Sequence, residues 1–425
     1  MSVVRDPKSV YILAMDDDGR DLEIVVIGTL DTKLQEFTLL RSELEAAGAH
    51  VTVVDASTTV HDHPAADITS RELATRGGAV GASPGGDRAS ALATMSRGVT
   101  EILEQLHAEG RVHGVIGMGG SGNTELATSA MRALPIGVPK VMLSTASRGV
   151  AAFIGNSDIT LIHSVTDIAG INYLLARQIA QSAAAVVAMA RAASSTLTRP
   201  SRIVALTMFG ITTPGADALA SDLRDRGYEV LVFHANGSGG RALEQLIAEG
   251  VVDAVVDLTP TELADELVGG HRSAGPDRLS AAGRLGLPQV ISLGGLDVVN
   301  FGAVESIPPH FRGRQLYGHA SSSTLMRTNV RESAAIGRLL AEKLNESHGP
   351  GAVYAPLQGL SSLGRAGNPF HDPAADRALI DGVRAHLDPR FDLIEIDAHI
   401  NDASFAAALA NRLDQMYKEK HDHSH

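Results

Sequence analysis

Strand-like and helix-like segments alternate along nearly the whole chain, and this order limits the possible folds more than any other feature. EIVVIGTL reads as a strand ending in glycine, TKLQEFTLLRSELEAAG carries Leu34, Phe37, Leu40 and Leu44 at helical spacing before Gly48, and HVTVVDAS reads as the next strand. A β-α-β unit pairs its strands in parallel and lays the connecting helix on the sheet. The same order returns in the second half as RIVALTMFG, GADALASDLRDRG and YEVLVFHA. The echo reaches individual residues: AEGRVHGVIGMGGSGNTELA aligns with AEGVVDAVVDLTPTELADEL, and GVPKVMLST with GLPQVISLG.

The fold class expected is therefore α/β, with two related Rossmann-like domains whose mainly parallel sheets face a cleft. A length of 425 residues suits two domains better than one core. The junction is expected near residue 198, where the alanine-rich helix from Ile171 to about Ala193 runs out into SSTLTRPSR. That gives an N-terminal nucleotide-binding domain over 1–198 and a C-terminal α/β domain over 199–425. The halves do not keep a constant offset, so the first must hold an insertion, at about residues 56–98, read as a polar, glycine-rich loop.

Composition excludes several functions. A net charge of -13 repels polyphosphate, and no basic patch offsets it, so nucleic acid is not an expected partner. With no cysteine there is no disulfide framework, thiolate nucleophile or sulfur-bound zinc. The opening run VYILAM is cut by Asp16 to Asp18, and no apolar stretch approaches a membrane span, so the chain is expected to be cytoplasmic.

Gly117, Gly119 and Gly122 spell G-x-G-x-x-G between the strand GVIGM and the helix ELATSAMRAL. Backbone N–H groups and the helix dipole in such a turn suit a phosphate. No G-K-[ST] follows, so this is not a Walker A loop, and Met142 to Ser144 stand where a dinucleotide fold would place its ribose-binding acid. A mononucleotide or another phosphorylated or carboxylated small molecule remains. Ligands of open α/β sheets bind at the carboxyl ends of the strands. The first strand delivers Gly28, Thr29, Asp31, Thr32 and Lys33, and the glycine turn adds Gly120, Ser121 and Asn123. Ser144, Thr145, Ser147 and Arg148 follow in KVMLSTASRG, and Asn156, Asp158 and Asp167 are candidates for magnesium or ribose contacts. Each of these residue types also serves as a turn former or helix cap.

Strand ends in the second half hold Thr212, Thr213, His234, Gly237, Ser238, Gly239, Glu262, Asp297, Asn300 and Arg327. Among them His234, Glu262, Asp297 and Arg327 suit acid–base work on a polar substrate, without a mechanism following from their spacing. The clusters His61 to His63 and HDHSH at the end lie in loops or tails, so no metal site is expected there.

GTLDTK, GMGGSGNT, SDIT with SVTDIAG, MFGITTP, HANGSGGRA, DLTPTELADELVGG, AGPDRL, LDVVNFG and DAHINDASFA together resemble the UPF0261 family, the Tm-1-like ATP-binding proteins, over essentially the whole chain. The resemblance implies a two-subdomain α/β protein that binds ATP, with Mg2+ a further candidate, and forms homodimers. The segment ASRGVAAFIGN is shorter than in many members, so contacts do not carry over to Ser147 and Arg148. Membership names a ligand but no reaction. Three roles stay open: an ATP-binding protein acting on a small polar metabolite, a non-enzymatic dimeric regulator stabilised by nucleotide, and a sugar-acid hydrolase or isomerase without nucleotide turnover.

Overall fold

The computed structural model describes residues 22–79, 87–193 and 199–422. The chain divides into two compact units between residues 198 and 199. The VYILAM run, residues 194–198 of the run-out after Ala193 and the last three residues of HDHSH lie outside the described residues. Among the described residues no helix is long and apolar enough to cross a membrane.

The first unit runs β1 Leu22–Gly28, α1 Leu30–Ala46, β2 Ala49–Asp55, α2 Ser70–Arg76, α3 Arg88–Ala108, β3 Gly114–Gly119, α4 Ser121–Met131, β4 Lys140–Ser144, α5 Val150–Ile154, β5 Thr160–His163 and α6 Tyr173–Ala193. Its sheet is parallel throughout, in the order β2-β1-β3-β4-β5. Strand side chains alternate between faces, so the unbroken apolar run of β1 buries both. Leu22, Ile24 and Val26 pack with α1 and α6, while Val25 and Ile27 pack with α2, α3 and α4.

The expected loop over residues 56–98 is partly helical. Thr69 accepts a hydrogen bond from the Glu72 amide and so caps α2. Leu73, Ala74, Met95 and Val99 then bury against the β1 and β3 face. The two helices cross closely: a Cβ at Gly77 would stand 2.0 Å from the Thr94 carbonyl oxygen, and one at Gly98 2.1 Å from that of Leu73. Glycine composition suggested a loop, whereas these two glycines serve helix contact. The stretch 80–86 lies outside the described residues.

The second unit runs β6 Ile203–Met208, α7 Thr213–Asp225, β7 Glu229–His234, α8 Ser238–Ala248, β8 Ala254–Asp257, α9 Glu262–Val268, α10 Ala281–Arg284, β9 Gln289–Ser292, β10 Val298–Phe301, β11 Leu316–Ala320, β12 Ser323–Arg327, α11 Val330–Asn345, β13 Gly351–Pro356, α12 Pro373–His386, β14 Asp392–Ile396 and α13 Ala403–Asp422. Its main sheet, β14-β13-β9-β8-β6-β7, is also parallel. Read from the second strand inward, both sheets wind in the order second, first, third, fourth. The echoed AEG and TEL blocks flank the third strand of each sheet, and the echoed GVP and GLP blocks lead into the fourth. An antiparallel sheet, β10-β12-β11, is inserted after β9 and sets Asp297 next to Val298, the partner of Arg327.

Candidate functional site

In the first unit the winding reverses between β1 and β3, and in open α/β sheets a crevice forms outside the strand ends at such a point. Gly28 ends β1 there, and Gly119 ends β3 and leads into α4. The two parts of the turn have different causes. A Cβ at Gly117 would lie 2.8 Å from the Met142 sulfur and 3.0 Å from the Ala127 Cβ, and one at Gly119 2.7 Å from the Asn123 Cβ. Gly117 and Gly119 therefore let helix and strand approach each other. At Gly120 the nearest atom to an added Cβ is the Thr145 hydroxyl at 3.7 Å, and at Gly122 an Arg88 nitrogen at 3.7 Å.

α4 begins at Ser121 behind Gly120, which supplies no side-chain cap. Among the described residues no side chain caps its first amides, on Ser121, Gly122 and Asn123, where the helix dipole favours an anion. The Asn123 side chain turns inward and donates to the Met118 carbonyl at 2.5 Å. The Ser144 hydroxyl is buried against that of Thr124 at 2.7 Å and accepts from the Ala146 amide, so Thr145 is the hydroxyl beside the turn.

The other sequence candidates are distributed less simply. The amides that open α1 are already used: Leu30 donates to Asp55 Oδ1 at 3.1 Å and Asp31 to Ser57 Oγ at 3.2 Å. Asp55 is wholly buried, and His61 Nε2 lies 3.2 Å from its other oxygen. Gly28 is a packing glycine, since a Cβ would meet the Phe37 ring at 2.5 Å. Thr29 and Thr32 contact one another at 3.3 Å, and the Lys33 ammonium donates to the Ile168 carbonyl. Asp158 must be taken out of the nucleotide set. It precedes β5 and binds Lys140 at the start of β4, so it lies at the amino edge of the sheet. Burial would raise its carboxyl, but the Lys140 ammonium at 2.7 Å and the Gly137 amide hold it below the ordinary value. Ser147, Arg148 and Asp167 are exposed, and Asn156 is half-buried in the turn after α5.

In the second unit the HANGSGG turn carries its own anion. Glu262 Oε1 accepts from the Gly237 amide at 2.6 Å and the Gly240 amide at 3.1 Å, and a Cβ on Gly240 would stand 2.2 Å from that carboxylate. The other Glu262 oxygen accepts from Arg278 Nε at 2.6 Å, and Arg278 forks onto Asp257 at 2.5 and 2.9 Å. All three side chains are buried, so Glu262 is a structural anion rather than a free acid. His234 stays exposed at the end of β7, its ring 5.2 Å from that of Phe209. Partial desolvation of the ring and the nearby Arg272 hold its imidazole below the ordinary value. Thr212 bonds Thr259 at 2.7 Å, and the Ser238 hydroxyl and Gly239 amide both donate to Asn236.

Asp297 and Arg327 belong to a different cluster, at the carboxyl end of β13. Arg327 donates to the Phe370 and Asp372 carbonyls, the Thr328 hydroxyl and Asp376 Oδ1 at 2.5 Å. Asp297 accepts from the Ser361 hydroxyl at 2.6 Å, while its Oδ1 is buried with no hydrogen-bond partner among the described residues. Burial raises the Asp297 carboxyl against the Arg327 charge. Beside this cluster lies a cavity of about 200 Å3 that includes Gln358, Gly359, Gly364, His371 and Asp376 in its walls. Asn300 stands apart from it, holding Asp265 through its backbone and side-chain amides at 2.9 and 2.7 Å. Sequence reasoning missed Ser361, His371, Asp376 and His399. The signal was present: the apolar GAVYAP runs into the glycine-serine stretch GLSSLGRAG and an Asp-Pro helix start at Asp372.

Comparison with known proteins covers both units. The N-terminal domain of an uncharacterised protein family, UPF0261, matches residues 22–195, and its C-terminal domain residues 201–417. A UPF0261 protein of Clostridium tetani is 39% identical over 401 residues, spanning 93% of this chain and 99% of its own length. One from Rhizobium meliloti is 42% identical over 391 residues, spanning 91% and 96%. The ToMV susceptible protein tm-1 of Solanum lycopersicum is 38% identical over 419 residues, which cover 92% of this chain and 55% of the tomato protein. A solved UDP-N-acetylglucosamine 2-epimerase from Rickettsia bellii, with TM-score 0.23 and 13% identity over 64% of this chain and 79% of its own, is too remote to bear on the site.

Proposed function

This chain belongs to the UPF0261 family, and from that premise we propose that its first unit binds ATP with the phosphates on the amides of Ser121, Gly122 and Asn123. One observation carries the reading. Where α1 and α8 begin, the protein supplies its own carboxylate, from Asp55 and Glu262, whereas α4 begins behind an uncapped glycine at the switch point of the sheet. An anion from outside completes the pattern. The Thr145 hydroxyl stands beside Gly120, and Lys33, whose ammonium has donors beyond the one given to Ile168, opens the neighbouring helix. Mg2+ bridging the phosphates would travel with the nucleotide. Asp158 and the buried Ser144 have no place among the contacts.

Isothermal titration of the full chain with ATP, ADP and adenosine tests this. Affinity should fall in that order as phosphates are removed. Adenosine binding as tightly as ATP would show that the phosphates are not the anchor.

A further inference from the structure

The cavity beside β13 is lined by side chains with hydrogen-bonding capacity left over. Gln358 gives one N–H of its amide to Asp397 at 2.5 Å, which leaves Oε1 as an acceptor and the second N–H as a donor. His371 Nδ1 stands 3.2 Å from the Gly364 carbonyl, which can only accept, so the neutral ring keeps Nε2 as an acceptor. Asp376 gives Oδ1 to Arg327 and retains Oδ2. Of the two cations near the cavity, Arg327 is taken up by Asp376 and backbone carbonyls, while Arg377 gives one N–H to Glu395 at 3.1 Å and keeps further donors at the wall. What remains is three side-chain acceptors, with N–H donors of Gln358 and Arg377 beside them, around one small space. Their complement is a molecule whose groups both donate and accept, as hydroxyls do, and two adjacent guanidinium groups disfavour an ammonium compound.

We infer that this cavity is a second ligand site, for a small polyhydroxylated compound of sugar size whose hydroxyls donate to Gln358 Oε1, His371 Nε2 and Asp376 Oδ2. A volume of about 200 Å3 lies below the roughly 300 Å3 at which pockets for drug-sized ligands begin. The walls are built for close approach. Gly359 has φ +126° and would place a Cβ 2.9 Å from the His399 ring, and Gly364 would place one 2.8 Å from Asp297 Oδ2. His399 Nε2 bonds the Ser361 carbonyl at 2.9 Å, and Ser361 in turn holds Asp297, so a buried layer fixes the loop that carries the wall. Arg327 positions Asp376 from behind. Burial brings the Asp376 carboxyl up to about 6 although Arg327 pulls it down, so the group facing the ligand can hold or release a proton near neutrality. The site lies wholly in the second unit and does not depend on nucleotide binding in the first.

Saturation-transfer NMR on the full chain, with D-glucose, D-glucuronate, D-arabinose and myo-inositol at millimolar concentration and putrescine as cationic control, tests the assignment. At least one of the four polyols should receive saturation from the wild type and from Gly120→Asp. The signal should be lost both in His371→Ala and in Ala366→Trp, which sets a bulky ring at the mouth; both residues are exposed, so neither change threatens the fold. No transfer to any of the four, transfer that survives in either pocket variant, or transfer to putrescine alone would overturn it.

Discussion

Replacing Gly120 by aspartate would hand α4 the internal anion that α1 and α8 already have. Gly120 sits at φ -77° and ψ -176°, an extended conformation open to any residue, and its nearest neighbour to a new Cβ is 3.7 Å away. An aspartate at this N-cap position can accept from the amides of the first turn, so the apo protein should gain a few tenths of a kcal/mol over glycine. The phosphates lose those amides and meet a like charge. One pair of unit charges about 4 Å apart costs ~1 kcal/mol in water and ~4 kcal/mol at a protein surface. A loss of ~2 to 4 kcal/mol weakens binding roughly 30-fold to 1000-fold. At ATP of about 100 times the wild-type Kd, the wild type gains ~2.7 kcal/mol and the variant, at 30-fold weaker binding, under ~1 kcal/mol. With ~2 to 4 °C per kcal/mol for a domain of this size, the melting shift should fall from about 5 to 11 °C to about 2 to 3 °C. Differential scanning fluorimetry with ATP, beside circular dichroism of the apo variant, reads both effects. A folded Gly120→Asp that binds ATP as tightly as the wild type would show that the phosphates lie elsewhere.

Gly117→Ala should behave oppositely: its Cβ would enter 2.8 Å from the Met142 sulfur, so about 1 to 3 kcal/mol of stability is lost by urea titration while the ATP affinity of the folded protein is kept. Arg278→Met leaves Asp257 and Glu262 buried without their cation, a cost of about 3 to 5 kcal/mol, and should lower the urea midpoint sharply; an unchanged midpoint would mean the network is not coupled to folding. Asp265 gives a pH signature. Burial raises its carboxyl from 3.8 to about 7, against hydrogen bonds from Asn300 that lower it. The folded chain therefore keeps a proton that the unfolded chain releases, so this stabilisation is full below about pH 4 and is lost as pH rises through about 7, at ~1.4 kcal/mol per pH unit. The difference in stability between wild type and Asp265→Asn should follow that slope from pH 4 to 7; parallel curves would contradict it.

Much of the architecture is written in local pattern. Hydrophobic period and glycine stops mark β1, α1 and β2, and the repeated AEG and TEL blocks mark the equivalent third strands, because parallel strands buried on both faces need unbroken apolar runs. The same patterns place Gly28, Gly119 and Ser144 at strand ends. Which anion each helix start receives is not local. Glu262 reaches the HANGSGG turn and Asp55 reaches α1 only because parallel strand ends lie side by side, and neither contact leaves a trace in spacing along the chain. For the same reason Gly117 and Gly119 look like phosphate glycines in sequence and prove to be packing glycines, while Gly120, outside the G-x-G-x-x-G glycines, holds the open space. Asp297, Arg327 and Asp376 are brought together by an inserted antiparallel sheet and a helix start about 50 residues further on. A side chain's partners depend on distance in space, and the chain sets that distance only once its sheets have closed.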